Sequence, residues 1–148
     1  MLRLKSSKEK QRGATLLEFA IGSTVFLISM FAVLEFGRAL WVHNALADGA
    51  RRGARYATVH SIGDVAQIKN VVVYGDPAGG STPIVNNLTV DNVNVSYSTF
   101  GLNGGTVQVS ITNYQFQFVM PLVGTTISMP NYTTTLTAES AGYIPAPM

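Results

Sequence analysis

The hydrophobic pattern of the chain changes period twice. Ala14 to Leu34 is an almost unbroken apolar run of 21 residues in which Glu18 is the single charge. As a helix it would span roughly 31 Å, the thickness of a bilayer's hydrocarbon core. Glu35 and Arg38 end the run and are spaced i, i+3, so their side chains can pair on one helix face. Trp41 follows at a depth that suits an interfacial aromatic.

Residues 39–59 contain no proline and continue the helix beyond the apolar run. Ala45, Gly49, Gly53 and Ala57 recur every fourth residue and form a stripe of small side chains, against which another backbone can approach closely. Two surfaces suit that stripe: the protein's own globular part, or a neighbouring subunit. His60-Ser61-Ile62-Gly63 reads as a break. Asp64 is placed to cap a short helix, with Gln67 three residues later completing a capping box. Val65, Ile68, Val71 and Val72 form that helix's apolar face, and Gly75 suits its left-handed C-terminal position. The Pro- and Gly-rich stretch 76–83 is a loop.

From Leu88 the period becomes two. Val93, Val95 and Tyr97 alternate with polar residues, as do Val107, Val109 and Ile111, and then Tyr114, Phe116 and Phe118. Phe100 to Gly105 reads as a Gly-rich connection, and Thr133 to Glu139 as a last strand. One apolar and one polar face predict a half-covered antiparallel sheet of three or four strands. The two helices are its natural cover. The predicted fold class is therefore α+β: a long N-terminal transmembrane-plus-extramembrane helix, with a short helix and a small antiparallel sheet packed on its C-terminal half.

Charge sharpens this division. Charged residues make up only 12% of the chain, about half the usual ~25%. Arg3, Lys5, Lys8, Lys10 and Arg12 all precede the apolar run, opposed there by Glu9 alone. Beyond residue 13 the chain has five basic and seven acidic residues, a net −2. The basic character thus belongs to the leader, and no nucleic-acid partner is expected. Chemistry-bearing patterns are missing too. His43 and His60 are the only histidines, and no H-E-x-x-H occurs. There is no cysteine and no G-x-S-x-G. Gly101 to Gly105 lacks the following helix that a phosphate-binding loop needs, and Asp64, Asp76 and Asp91 lack calcium-loop spacing. No metal, cofactor or catalytic activity is expected. Arg51, Arg52 and Arg55 suit either lipid headgroups or a solvated helix face.

A basic stub before an apolar run fits three arrangements. A secretory signal peptide would be cut near Ala45-Leu46-Ala47, but these lie well past the run. A plain uncleaved anchor leaves Glu18 unexplained, because intramembrane charges are costly. In the third arrangement Gly13–Ala14 is cleaved, and Ala14 gains an ammonium that a neighbouring subunit's Glu18 can neutralise. In a low-dielectric bundle that pair favours one axial stagger.

Gly13-Ala14-Thr15-Leu16-Leu17-Glu18-Phe19 resembles the processing site of Flp/Tad-type pilins. Leu34-Glu35-Phe36-Gly37-Arg38 and Ala50-Arg51-Arg52-Gly53-Ala54-Arg55-Tyr56-Ala57 resemble two further blocks of the TadE-like family of pseudopilins, in the family's order. One departure is Ser23-Thr24, where many members carry a proline. The resemblance implies cleavage by a prepilin peptidase and a role as a minor pilin or pseudopilin in tight-adherence pilus assembly. Its implied partners are the lipid bilayer, the peptidase, other pilins or pseudopilins and the assembly machinery. The motif residues it marks are Glu35, Gly37, Arg38, Arg51, Gly53, Ala54 and Arg55, with Glu18 and Phe19 for register. Five basic residues precede the run and four lie at 35–55, so the charge bias is slight. The leader and the resemblance orient the N-terminus to the cytoplasm across the inner membrane. The expected organisation is a leader over 1–13, a span over 14–34, a helix extension over 35–62, an extracytoplasmic α+β domain over 63–141 and a flexible tail over 142–148. The alternative is a single-pass anchored β domain that binds a partner without entering a filament.

Overall fold

The computed structural model describes residues 7–101, 104–119 and 126–137. Its backbone is organised on one helix, α1, which runs without interruption from Ser7 to Thr58. No proline precedes Pro77, so nothing in this stretch removes a helical hydrogen bond. At 1.5 Å per residue α1 is about 78 Å long. Thr24 returns its hydroxyl to the Ala20 carbonyl at 2.8 Å, and Ser29 does the same to Val25 at 2.9 Å. These bonds satisfy two polar groups inside the apolar run, where water would not reach them.

The two halves of α1 face different surroundings. From Leu16 to Leu34 its large apolar side chains are exposed on every side. From Val42 onward one face is buried: Val42, Leu46, Ala50, Ala54 and Ala57 enter the core. This face packs on a second helix, α2 (Val65–Tyr74), and on the sheet. The stripe of small residues seats α2. A Cβ at Gly49 would lie 3.4 Å from the Val72 carbonyl oxygen. One at Gly53 would lie 2.3 Å from Val72 Cγ2 and 3.3 Å from Val109 Cγ1. The helices therefore meet closely enough that only glycine fits at 53. The helical cost of glycine, about 1 kcal/mol, is offset by the burial this approach allows.

Five strands follow: β1 (Val93–Gly101), β2 (Gly104–Ile111), β3 (Gln115–Gln117), β4 (Thr126–Ser128) and β5 (Tyr132–Thr137). The main sheet is antiparallel in the order β1-β2-β5. Its register stacks Val93–Ile111–Tyr132, Val95–Val109–Thr134 and Tyr97–Val107–Leu136 across the three strands. The period-two pattern therefore becomes one apolar face, which α1 and α2 cover. The layout is α+β.

Several local expectations are corrected. α1 ends at Thr58 and does not continue to residue 62. There Thr58 donates its hydroxyl to the Arg55 carbonyl at 2.8 Å. His60 stacks on Tyr56 with ring centres 3.6 Å apart. Asp64 precedes α2 but its side chain makes no capping bond. Its φ of −84° and ψ of 28° lack the extended backbone that a capping side chain requires. Gln67 instead accepts a bond from the Tyr56 hydroxyl at 2.9 Å. Val73 joins the buried face of α2, while Val65 is only half-buried. Gly75 does take the left-handed position, at φ 79°, with its N–H bonded to Val71 O. The Phe100–Gly105 connection is mostly strand, since β1 reaches Gly101 and β2 starts at Gly104. The Tyr114–Phe118 alternation does not extend the main sheet. It forms β3 of a separate two-stranded sheet with β4. Asn113, at φ 57°, turns the chain out of β2, and the Asn92 amide donates to the carbonyls of Thr112 and Asn113 to fix the turn. The last strand runs from Tyr132 to Thr137. Ala138, Glu139 and the predicted tail lie outside the described residues.

Gly53→Ala is expected to lower stability by up to about 2 kcal/mol. Overpacking against Val72, which is 1% exposed, costs about 1–3 kcal/mol and exceeds the roughly 1 kcal/mol gained in helix propensity. Gly37→Ala meets nothing within 4 Å and should be neutral or slightly stabilising. Melting curves of both variants in detergent, followed by circular dichroism, check the contrast.

Candidate functional site

The residues singled out in the sequence fall at three levels of α1. At the first, Gly13 and Ala14 lie within helix, which extends back to Ser7 across the predicted cleavage bond. A Cβ at Gly13 would meet nothing within 4 Å. Glu18 and Phe19 are exposed, and Glu18 lies one helical turn beyond Ala14. Among the described residues the ion pairs are Glu35–Arg38 and Asp48–Arg52. No cation of the described chain pairs with Glu18.

The second level is the edge of the apolar run, and here the globular part reaches the helix. Glu35 is the buried charged residue of the described chain, at 8% exposure. Arg38 donates to Glu35 Oε2 from Nε at 3.1 Å and from Nη2 at 2.7 Å. The backbone N–H of Val119, 84 residues away, donates to Glu35 Oε1 at 3.0 Å. Arg38 Nη2 also donates to the Gln117 carbonyl. Its guanidinium lies over the Phe116 ring, 4.3 Å from the centroid, and Phe116 meets Phe118 edge-on. The planar donor fork of arginine lets one side chain bond the carboxylate, bond a carbonyl and stack on an aromatic together. Glu35 and Arg38 thus clip the end of β3 to α1. An unpaired carboxylate at this depth would cost several kcal/mol. The Arg38 guanidinium and the Val119 N–H, which meet different carboxylate oxygens, offset that penalty.

Beside the clip lies an open groove of about 310 Å³, lined by Arg38, Trp41, Ile84, Tyr114, Phe116 and Val119 among others. Tyr114 donates its hydroxyl to the Asn86 carbonyl at 2.7 Å. Burial raises its pKa above the ordinary 10.0, and the nearby Arg38 opposes the rise. Further along, His43 Nδ1 and the Tyr132 hydroxyl are hydrogen-bonded at 2.8 Å. Burial raises the Tyr132 pKa as well. His43 therefore ties α1 to β5.

The third level is the arginine-rich block. Arg51 and Arg55 are exposed, while Gly53 and Ala54 are buried. Arg52 pairs with Asp48 one turn earlier. Ala45 is half-buried, and Gly49 and Ala57 are buried on the α2 side. The block thus divides into small residues for packing and cations for solvent. Gly37 is exposed. Among the described residues no three His, Asp or Glu side chains gather as a metal site.

The sequence pattern pairs Glu35 with Arg38 but is silent about Val119, Gln117 and Phe116. The alternation of 114–118 marks a strand, not its destination. Val119 contributes only its backbone N–H, which no side-chain pattern encodes.

Glu35→Ala is expected to release the 117–119 segment. Native-state amide exchange at Val119 should quicken at least tenfold, which corresponds to about 1.4 kcal/mol of local opening energy. Arg38→Lys should recover little of the clip, because an ammonium lacks the fork. Amides of β2 should keep wild-type exchange in both variants. Hydrogen–deuterium exchange with mass spectrometry reads the two regions together.

Comparison with curated proteins and with solved structures finds no match for this chain. One comparison does succeed, and it falls on the helix that carries all three levels: residues 13–55 match the family described as TadE-like protein, a match that contains Gly13–Phe19, the Glu35–Arg38 clip and Arg51 to Arg55.

Proposed function

We propose that this chain is a minor pilin or pseudopilin that acts in assembly of a tight-adherence pilus, and that its role is structural rather than enzymatic. The observation that carries the reading is Glu18: an exposed carboxylate in an exposed apolar helix, five residues after Gly13. α1 is long and apolar enough to cross a membrane. Moving each fully exposed Leu, Ile, Val or Phe out of water is worth about 1.5–3 kcal/mol, which drives Leu16 to Leu34 into lipid or into a bundle of like helices. Glu18 opposes both moves unless a cation meets it. Cleavage after Gly13 by a prepilin peptidase creates that cation at Ala14. Within one chain Ala14 and Glu18 are fixed by the helix. A neighbour's ammonium is free to meet Glu18, and only one axial offset between helices lets it.

In this reading the N-terminus is cytoplasmic, the span lies in the inner membrane and the α+β domain is outside. The partners are the bilayer, the peptidase and other pilin-type subunits with their assembly machinery. No cofactor is invoked. Support comes from the match over residues 13–55 and from the continuous helix, which transmits the position of Glu18 to the globular domain.

Intact mass separates this reading from a plain anchor. Protein from cells with a prepilin peptidase is expected to lack residues 1–13, and protein from cells without it to keep them. Equal masses would remove the proposal. Glu18→Ala should insert and be cleaved normally yet fail to enter assemblies, read by crosslinking of membranes and by recovery in sheared pilus fractions. Unimpaired assembly would remove the register argument.

A further inference from the structure

The clip at Glu35 has a geometric consequence for the globular domain. Around α1 at this level, Phe36, Val33 and Leu34 sit at roughly 100°, 160° and 260° from Glu35, and all three are exposed. The remaining side, that of Glu35 itself, is occupied by Val119, whose N–H is bonded to the carboxylate. Val119 is 76% exposed. Apolar surface therefore surrounds the helix on every side at one depth, and one of those sides belongs to the globular domain. Trp41 lies six residues further on, about 9 Å along the axis, and is 57% exposed. It lines the same groove as Val119. The polar headgroup layer is about 5–8 Å thick on each side of the hydrocarbon, so the Trp41 backbone lies just past its outer limit, with the indole in reach of it, and Val119 lies at its inner one.

We propose that the globular domain is seated on the lipid bilayer, with Val119 at the boundary between acyl chains and headgroups and Trp41 in the headgroup layer. The inference rests on the membrane reading of α1. The occupant is lipid because the exposed surface at Val119 continues the exposed surface of the span at the same depth. The seating also accounts for the form of the clip. Glu35 has to sit at the hydrocarbon edge and still be neutralised. Arg38 and the Val119 N–H do this by drawing the end of β3 down to that edge. The domain then tilts little about α1, because it is held both by the clip and by lipid.

The chain has no cysteine, so single cysteines can be labelled without removing others. The full-length protein carrying Val119→Cys, Val25→Cys or Ala66→Cys is labelled with an environment-sensitive fluorophore. It is then reconstituted into mixed phosphatidylcholine–phosphatidylglycerol vesicles with lipids bearing a nitroxide at shallow or deep acyl positions. Val25 is exposed within the apolar run. Ala66 is exposed on α2, beside Gln67, which bonds Tyr56, roughly 30 Å above Glu35. The label at 119 is expected to be quenched several-fold more by the shallow nitroxide than the label at 66, and the label at 25 most by the deep one. A label at 119 as unquenched as that at 66, with 25 quenched, would overturn the seating and leave the membrane reading standing. Absence of quenching at 25 as well would overturn both. Shielding at 119 that appears only at high protein-to-lipid ratio, without lipid quenching, also overturns it, since a second copy is then the cover.

Discussion

A carboxylate buried at the end of an apolar run must be neutralised where it stands, and at Glu35 this is done by two groups from different parts of the chain. Arg38 supplies the charge from the next turn of the same helix. The Val119 N–H supplies a second bond from the far end of the fold. The Arg38 pair lies within α1, and the Val119 bond crosses from the domain. Together they bring β3 to the level where the apolar run ends, and Arg38 adds Phe116 through its ring face and Gln117 through its carbonyl. The end of the apolar run is thus also the place where the globular part begins to contact α1.

A rigid connection is useful only if the helix itself is rigid and firmly held. Both conditions are met by small residues. α1 continues without a break through the clip to Thr58. Beyond it, Gly49 and Gly53 allow α2 to approach until Val72 is in contact with the α1 backbone. The second apolar layer, formed by Val107, Val109 and Ile111, closes against the same helix. His43 and Tyr132 add a polar tie to β5. The C-terminal half of α1 and the domain are therefore packed as one unit.

The TadE-like match covers residues 13–55, all of them within α1. That helix meets the end of β3 at Glu35 and α2 at Gly53. The strands that follow need only present an apolar face and an N–H at Val119.

Features that rest on local period and on the chemistry of neighbouring residues were legible in the chain itself, with the Asp64–Gln67 capping box as the exception. The 21-residue apolar run, the i, i+3 spacing of Glu35 and Arg38, the small-residue stripe and the alternating strands are all of this kind. The left-handed Gly75 belongs with them, because its backbone requirement is local. Only the tertiary structure decided which surface the stripe meets, that Tyr114–Phe118 leaves the main sheet, that Gln67 bonds Tyr56 rather than capping a helix, and that Val119 lies on Glu35. Each of these turns on a contact between residues distant in sequence, or on a backbone angle such as that of Asn113. A hydrophobic pattern specifies that a face will be covered. The identity of the cover is settled by which elements can approach closely enough, and that is a property of the assembled chain.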